Sequence, residues 1–379
     1  MKDMPWDKWL PGVLANSQVQ VLAEKGYIKN LKDHIQDIDY SSFDLHLTEN
    51  VYEMKQGSIK PCGPNYNEFL KNNYFSQKLD ASDKRDFLLK KKKTYVIELK
   101  EEFDRLSDLK SADLHGQATA KSSIGRVDVL ARLIVDGSKE YESFNPEELH
   151  SGTGKLYLEV TPITFNVGIR PGISLSQIRL FIGNPVECEV HGKRLCEIVL
   201  RNSQNKDDTL SVDLSTLKIR NKDIVAFKAK NVEDRIDLWG KEALKPEMYW
   251  DLAELTDNRN QNCFQISKDS FYILRSVEKI SLPPQIAVYC KAMDESLGEM
   301  RIHYAGFVHP YFGYERKDHS EGTPLIFEVR GHDVVVNLLH KEKLAKLIFY
   351  RMSDKPDKND ETNDYDTQTL KLSKFFKEF

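Results

Sequence analysis

Two carboxylates stand in apolar surroundings. Glu159 lies in LYLEV (156–160) and Glu328 in LIFEV (325–329), each between strand-forming residues. Burying a carboxylate is costly unless it is paired or protonated. Strand alternation accounts for a lone case, with the Glu facing water between inward-facing neighbours. Recurrence of the same setting 169 positions later points to a shared role instead. A partly desolvated Glu has a raised pKa and can serve as a general base near neutral pH. A second group of reactive types is KSSIGR (121–126). Lys121 and Arg126 can neutralise phosphate oxygens, Arg bidentately, and Ser122 and Ser123 add hydroxyl donors. Taken alone, Lys-Ser-Ser is common in surface loops.

Other chemistries find less support. The five cysteines, Cys62, Cys188, Cys196, Cys263 and Cys290, are odd in number and scattered. They suit neither a disulfide framework nor a CxxC zinc site. No H-x-E…P-C-x-x-C pattern of zinc deaminases occurs. The ten histidines read as ordinary surface or core residues, so no protein-held metal is expected. A net charge of -4 with 30% charged residues argues against a dominant nucleic-acid or membrane surface. It leaves room for a small anion held by a few placed cations. MKDMPWDKWLPG (1–12) lacks an apolar signal core, and there is no apolar run of about 18 residues. The expectation is a reduced, soluble, cytoplasmic protein.

The elements that must position these groups are mostly strands. TYVIEL (94–99), KLYLEV (155–160), FYILRS (271–276) and LIFEVR (325–330) are β-branched and aromatic, punctuated by Gly, Pro, Asn and Asp. Helices are expected near 16–25, with Ser17 as cap and Val19, Val21 and Leu22 inward, and across 66–92. The latter ends in Lys90–Lys93, read as a solvated basic face. An all-β core with peripheral helices follows.

An internal repeat organises the chain. Asp44 and Asp213, Glu159 and Glu328, and Gln177 and Lys346 share the same 169-residue spacing. TYVIELKEEFDRL also resembles FYILRSVEKISLP at a different local gap. Two copies of one domain are expected, residues 1–205 and 206–379, with the boundary in the polar stretch RNSQNKDDT (201–209).

KSSIGRVDV (121–129) resembles the Arg-Ser-Ser-x-Ala-Arg motif of dCTP deaminases and the Ser-containing phosphate motif of dUTPases. KAMDESLGEMRIHYAGFVHP (291–310) is similar to the same region read through to its base-binding hairpin. With YDTQ (365–368) and LKLSKFF (370–376), the order of pieces resembles the double-length bacterial dCTP deaminases, from about Gly12 to the C-terminus. The resemblance implies two tandem dUTPase-like distorted β-barrel (jelly-roll) domains, usually assembled as trimers with sites between domains. It therefore implies a homo-oligomer. It also implies deamination of dCTP to dUTP and ammonia without zinc, with Mg²⁺ accompanying the triphosphate.

Site roles carry over by residue. Glu328, or Glu159 if the first copy works, takes the water proton. Ser122 and the carbonyl of Ala305 position the water, and Arg126 supports the attack site or the phosphates. Lys121, Ser123, Gln177, Gly306, Phe307 and His309 are expected to bind nucleotide. Tyr365, Gln368 and Lys371 are expected to join them from the tail. Aligning Lys121-Ser122-Ser123 with Lys291-Ala292-Met293, and Arg126 with Ser296, suggests that the second copy lost its phosphate groups. At the hairpin, the first copy has RLIVDGSKEY (132–141), a poorer match. The copies would then complement each other. The rivals are a dUTP diphosphatase, a bifunctional dUMP-forming enzyme and a non-catalytic nucleotide-binding regulator. A dUTPase normally places Asp in the hairpin, where His309 stands, and closes with a Gly-rich tail, whereas no glycine follows Gly331. SDKPDKNDETND (353–364) is expected to be a flexible connector, followed by either a docked terminal helix or a closing lid.

Overall fold

The computed structural model describes all residues except 1–3, 64, 84, 150–152, 202, 204–206, 241, 256–262, 294–299, 303–305, 315–321 and 359–367. For residues 300–302 only the backbone is described. Strand accounts for 44% and helix for 14%, the mainly-β outcome that the punctuated β-branched runs predict, with the sheet curled into a nearly closed barrel.

In the N-terminal half the strands of the main sheet path are β1 (Ser42–Met54), β2 (Tyr95–Phe103), β3 (Leu114–Ala120), β4 (Val129–Val135), β5 (Ser143–Phe144), β6 (Lys155–Pro162) and β7 (Ser174–Ile182). They run in the order β5-β3-β7-β1-β2-β6-β4. In the C-terminal half the strands are β8 (Thr209–Ser211), β9 (Ala226–Ala229), β10 (Phe271–Ile280), β11 (Ile286–Ala292), β12 (Met300–Ile302), β13 (Gly306–Val308), β14 (Thr323–Gly331) and β15 (Lys343–Arg351). Here β13-β11-β15-β8 and β9-β10-β14-β12 trace the same path in two sheets, with a Val212–Ser276 bridge continuing from β8 to β10. Alternating burial along β2, and near-continuous burial of β6 and β7, show why apolar strands dominate the sequence pattern.

Strand register corrects part of the repeat. Glu159 faces Val96 and Glu328 faces Ile273 at matching places on β2 and β10, and Gln177 and Lys346 also correspond. Asp44 pairs with Gln177, whereas Lys346 pairs with Thr209, so the partner of Asp44 is Thr209 and not Asp213. Gln177 faces Thr119 while Lys346 faces Lys291, which places Met293 opposite Lys121 in the repeat. The amides confirm it: Lys121 N–H bonds Leu175 O at 3.0 Å and Met293 N–H bonds Leu344 O at 3.1 Å. The alignment of Lys121 with Lys291 was therefore two residues out of register. The counterparts of 122–126 fall at 294–298, outside the described residues, as does the expected boundary at 205.

The halves are joined by a small sheet in which Asn166–Ile169 pairs with Phe87–Leu89 and, in parallel, with Arg235–Asp237. One apolar core runs across the join, bringing Phe165 and Val167 together with Ile236, Trp250 and Phe376.

Helix expectations met mixed outcomes. α1 (Asn16–Glu24) buries Val19 and Leu22, but its cap residue is Ala15. Ala15 has no side chain to cap the first amides as Ser17 was expected to do; instead Gln18, in the first turn, accepts the Ala15 N–H through Oε1 at 2.9 Å. The long helix over 66–92 does not form. Only α2 (Tyr66–Lys71) is helical, and Ser76–Lys78 and Phe87–Leu89 join sheets. Charge gave the stretch a helical look, while its apolar residues are claimed by neighbouring strands. Lys91 and Lys93 pair with Glu233 and Glu53. All five cysteines are free. No helix among the described residues is long and apolar enough to cross a membrane.

The connector also departs from expectation over 353–358. Ser353 N–H bonds Val13 O at 2.7 Å, and Asp357 N–H bonds Asn16 Oδ1 at 3.0 Å. Residues 359–364 lie outside the described residues. The last twelve residues dock without forming a helix, burying Leu370, Leu372, Phe375 and Phe376.

Candidate active site

A cavity of about 400 Å³ opens between the halves. The N-terminal half contributes Lys121, Ser122, Ser123 and Arg126, with Asp44 from β1 and Gln177 from β7. The C-terminal half contributes Glu328 from β14, Cys290 from β11, and Gly306, Phe307 and His309 from β13 and the residue after it. Gln368 of the tail closes one side.

The phosphate-like motif sits on a tight turn. β3 ends at Ala120, and α3 (Ser122–Gly125) starts at once, with Lys121 as its extended cap. The first amides of a helical turn have no intrahelical partner, so such a turn presents donors at its mouth. Lys121 Nζ meets the Asp44 carboxylate. Burial pushes the Asp44 carboxyl above its ordinary value, opposed by that ammonium. Gln177 is oriented by Ser42, whose hydroxyl donates to Oε1 at 2.9 Å.

Arg126 is buried, and its guanidinium is held by the tail. Nη2 donates to Gln368 Oε1 at 2.8 Å and Nη1 to Lys371 O at 3.3 Å. Its Nε lies 3.9 Å from Glu328 Oε1. Glu328 is itself buried, and burial raises its pKa to about 7, with Arg126 as the main opposing influence. A carboxyl at that value exchanges protons readily at neutral pH. The Cys290 thiol beside it is pushed up to about 12, by burial first and by the Glu328 charge second.

A second charged link lies two residues along each segment. Asp128, at φ +58°, ion-pairs with Arg330, which also donates to Asp269 O at 3.3 Å. Glu328 and Arg330 share one strand face by the two-residue strand period. The buried Asp128–Arg330 pair therefore fixes β14 against the turn carrying Arg126.

The hairpin is seated by a buried arginine that sequence reading passed over. Arg179 donates to Val288 O at 3.0 Å, Ser41 Oγ at 3.2 Å and Val308 O at 3.4 Å, and lies 4.1 Å over the Phe307 ring. His309 Nδ1 is 3.1 Å from Ser41 Oγ. Burial holds the His309 pKa below its ordinary value, against the pull of Asp39. The signal for Arg179 was present in SLSQIRLFI: a charge inside an apolar strand, the same cue that marked the glutamates.

Not every expected residue arrives here. Glu159 lies outside the cavity, with both oxygens engaged. Oε1 accepts from Arg132 Nη2 at 2.5 Å and Nε at 3.2 Å. Oε2 accepts from Tyr141 at 2.9 Å and from Ser58. Lys371 lines a neighbouring cavity, and Lys374 is the tail lysine at this one. Ala305 and Tyr365 are outside the described residues.

Comparison with known proteins fits this layout. Residues 10–184 match the family model of the 2'-deoxycytidine 5'-triphosphate deaminase N-terminal domain, and residues 190–376 that of its C-terminal domain. The crystal structure of 2'-deoxycytidine 5'-triphosphate deaminase from Agrobacterium tumefaciens superposes with a TM-score of 0.78 at 27% identity. The match covers 92% of this chain and 99% of that one. A search of curated proteins found no match.

Proposed function

Since the chain belongs to the dCTP deaminase family through both of its halves, we propose that it hydrolyses dCTP to dUTP and ammonia in the cavity between them, with Glu328 as general base. The observation that carries this reading is the meeting of Glu328, from one half, with Arg126 and the Ser122–Ser123 turn, from the other. Separate halves could not supply the same set.

Glu328 accepts the proton of a water whose oxygen attacks C4 of cytosine. It gives that proton to ring N3, then takes the proton of the new C4 hydroxyl and passes it to the N4 amine, which leaves as ammonia as the C4 carbonyl forms. Ser122 hydroxyl and the Ala305 carbonyl hold the water. Arg126 stabilises the ionised carboxylate and is itself positioned by Gln368 and Lys371. Lys121, Ser123 and Lys374 face the triphosphate, while Gln177, Phe307 and His309 frame the nucleoside. Mg²⁺ enters on the triphosphate, held mainly by phosphate oxygens and water. No zinc enters this reading: among the described residues, the cavity lining brings no three His, Cys, Asp or Glu donor atoms together as a metal-sized group. We also propose a homo-oligomer, trimeric by family habit, to be checked by sedimentation.

Incubation with dCTP and Mg²⁺, followed by assay of ammonia and pyrophosphate, tests the reading. Ammonia without pyrophosphate is expected. Both products from dCTP indicate the bifunctional dUMP-forming enzyme, and pyrophosphate from dUTP alone a dUTP diphosphatase. Neither product would overturn the catalytic assignment.

A further inference from the structure

A second cluster of ligand-type side chains lies outside the catalytic cavity, on the short 3-10 segment Leu31–Asp37 and on β1. Asp37 Oδ2 is 3.2 Å from His46 Nε2 and 3.5 Å from His34 Nδ1. The three donor atoms all lie within 4.8 Å of one another. Four ligands held tetrahedrally at roughly 2.0–2.1 Å from zinc are separated by about 3.3 Å. Both Asp–His distances are close to that edge.

The cluster also has its outer support. Glu101 is buried and grips His46 twice, accepting the backbone N–H at 2.8 Å and approaching Nδ1 at 2.7 Å. A carboxylate at Nδ1 keeps a ring proton there and aims Nε2 at Asp37; a proton held between Nε2 and Asp37 is the one an incoming ion would displace. This carboxylate–imidazole arrangement orients and strengthens metal-ligating histidines. His34, at φ -132° and ψ 34°, breaks the helical run and stacks its ring 4.3 Å from that of His46. His34 and Asp37 are both partly exposed, which leaves an approach for an ion and a water.

The repeat gives a control within the molecule. The same strand register places Glu278 where Glu101 stands and Ser211 where His46 stands. Glu278 accepts the Ser211 N–H at 2.7 Å and its hydroxyl at 2.8 Å. The buried Glu therefore serves the strand in both halves. Only the first half replaces the serine with an imidazole and places an Asp and a second imidazole beside it.

We propose that His34, Asp37 and His46 form a three-ligand site for a divalent transition-metal ion of the zinc class, completed by water. Two imidazoles and a carboxylate suit Zn²⁺ better than Mg²⁺ or Ca²⁺, which prefer all-oxygen shells. The ion would fasten the 3-10 segment to β1, whose Asp44, two residues before His46, reaches the catalytic cavity. It takes no part in the deamination chemistry.

The test uses the full chain after chelator treatment and dialysis, titrated with Zn²⁺ by calorimetry and with Co²⁺ as a visible-spectrum probe. One equivalent is expected, with Co²⁺ bands of four-coordinate type. His34→Ala and Asp37→Asn, both at partly exposed positions, should each weaken Zn²⁺ binding at least tenfold. Zn²⁺ should raise the melting temperature of the wild type and not that of His34→Ala. Absence of stoichiometric binding by the wild type, or binding unchanged in both variants, overturns the proposal.

Discussion

Replacing Glu328 by Gln removes the proposed base and also an energetic burden. Burial raises the Glu328 pKa from 4.5 to about 7. The native protein therefore holds this proton more tightly than the unfolded chain does. Stability from this group is fully present below the ordinary Glu range and is lost as pH rises from about 4.5 through about 7. The full loss is about 3 kcal/mol, reached near pH 8, against about 1 kcal/mol at pH 5. Gln keeps the shape and never ionises, so Glu328→Gln should be the more stable protein by those amounts. For a unit of 150–250 residues, that is on the order of 6–12 °C in melting temperature at pH 8 and about 2–4 °C at pH 5. Thermal unfolding of both proteins at the two pH values measures it. A gain equal at both pH values, or a variant less stable at pH 8, would refute the claim that a desolvated carboxylate sits at this position. The same carboxyl predicts that wild-type kcat/KM rises with pH and levels off above about 7.

Three further outcomes follow. Arg126→Ala should lower turnover at least 10²-fold, since it removes the cation beside Glu328 and the anchor of Gln368; near-normal steady-state kinetics would contradict the two-half site. Asp128→Asn leaves Arg330 buried without its counter-charge and should cost about 3–5 kcal/mol in denaturant unfolding, with Arg330→Met in the same background recovering part of it. Deleting residues 368–379 exposes the surfaces now covering Leu370, Leu372, Phe375 and Phe376, so it should lower the melting temperature as well as kcat; an unchanged melting temperature would return the tail to the role of a lid.

Much of this site was legible because its residues violate a local rule. A Glu inside LIFEV and Lys-Ser-Ser-x-x-Arg at a strand end stand out in one dimension. The cavity then joins them because the halves pack with β14 facing the α3 turn. What sequence did not give was register. Two-residue and four-residue slips look equally good in apolar strands, so Asp213 was matched to Asp44 and Lys291 to Lys121, until the ladders fixed Thr209 and Met293. Nor could sequence distinguish Glu159 from Glu328. The difference lies in Arg132, Tyr141 and Ser58, which saturate the Glu159 carboxylate from separate segments. The helix expected over 66–92 failed for a related reason: charged, helix-compatible residues were drafted into sheets by partners distant in sequence. The tail docks through aromatic residues whose contacts, Trp250 and Tyr249 among them, are over a hundred positions away.

The most direct test of the central claim compares Glu328→Gln with Glu159→Gln in dCTP deamination, following ammonia release and dUTP formation under saturating dCTP and Mg²⁺. The account predicts that Glu328→Gln loses about 10²–10⁴-fold or more in kcat while still binding dCTP. Glu159→Gln, altered in a closed ion-pair network away from the cavity, should retain turnover in whatever fraction stays folded. The reverse pattern, with Glu328→Gln active and folded Glu159→Gln inert, would contradict it.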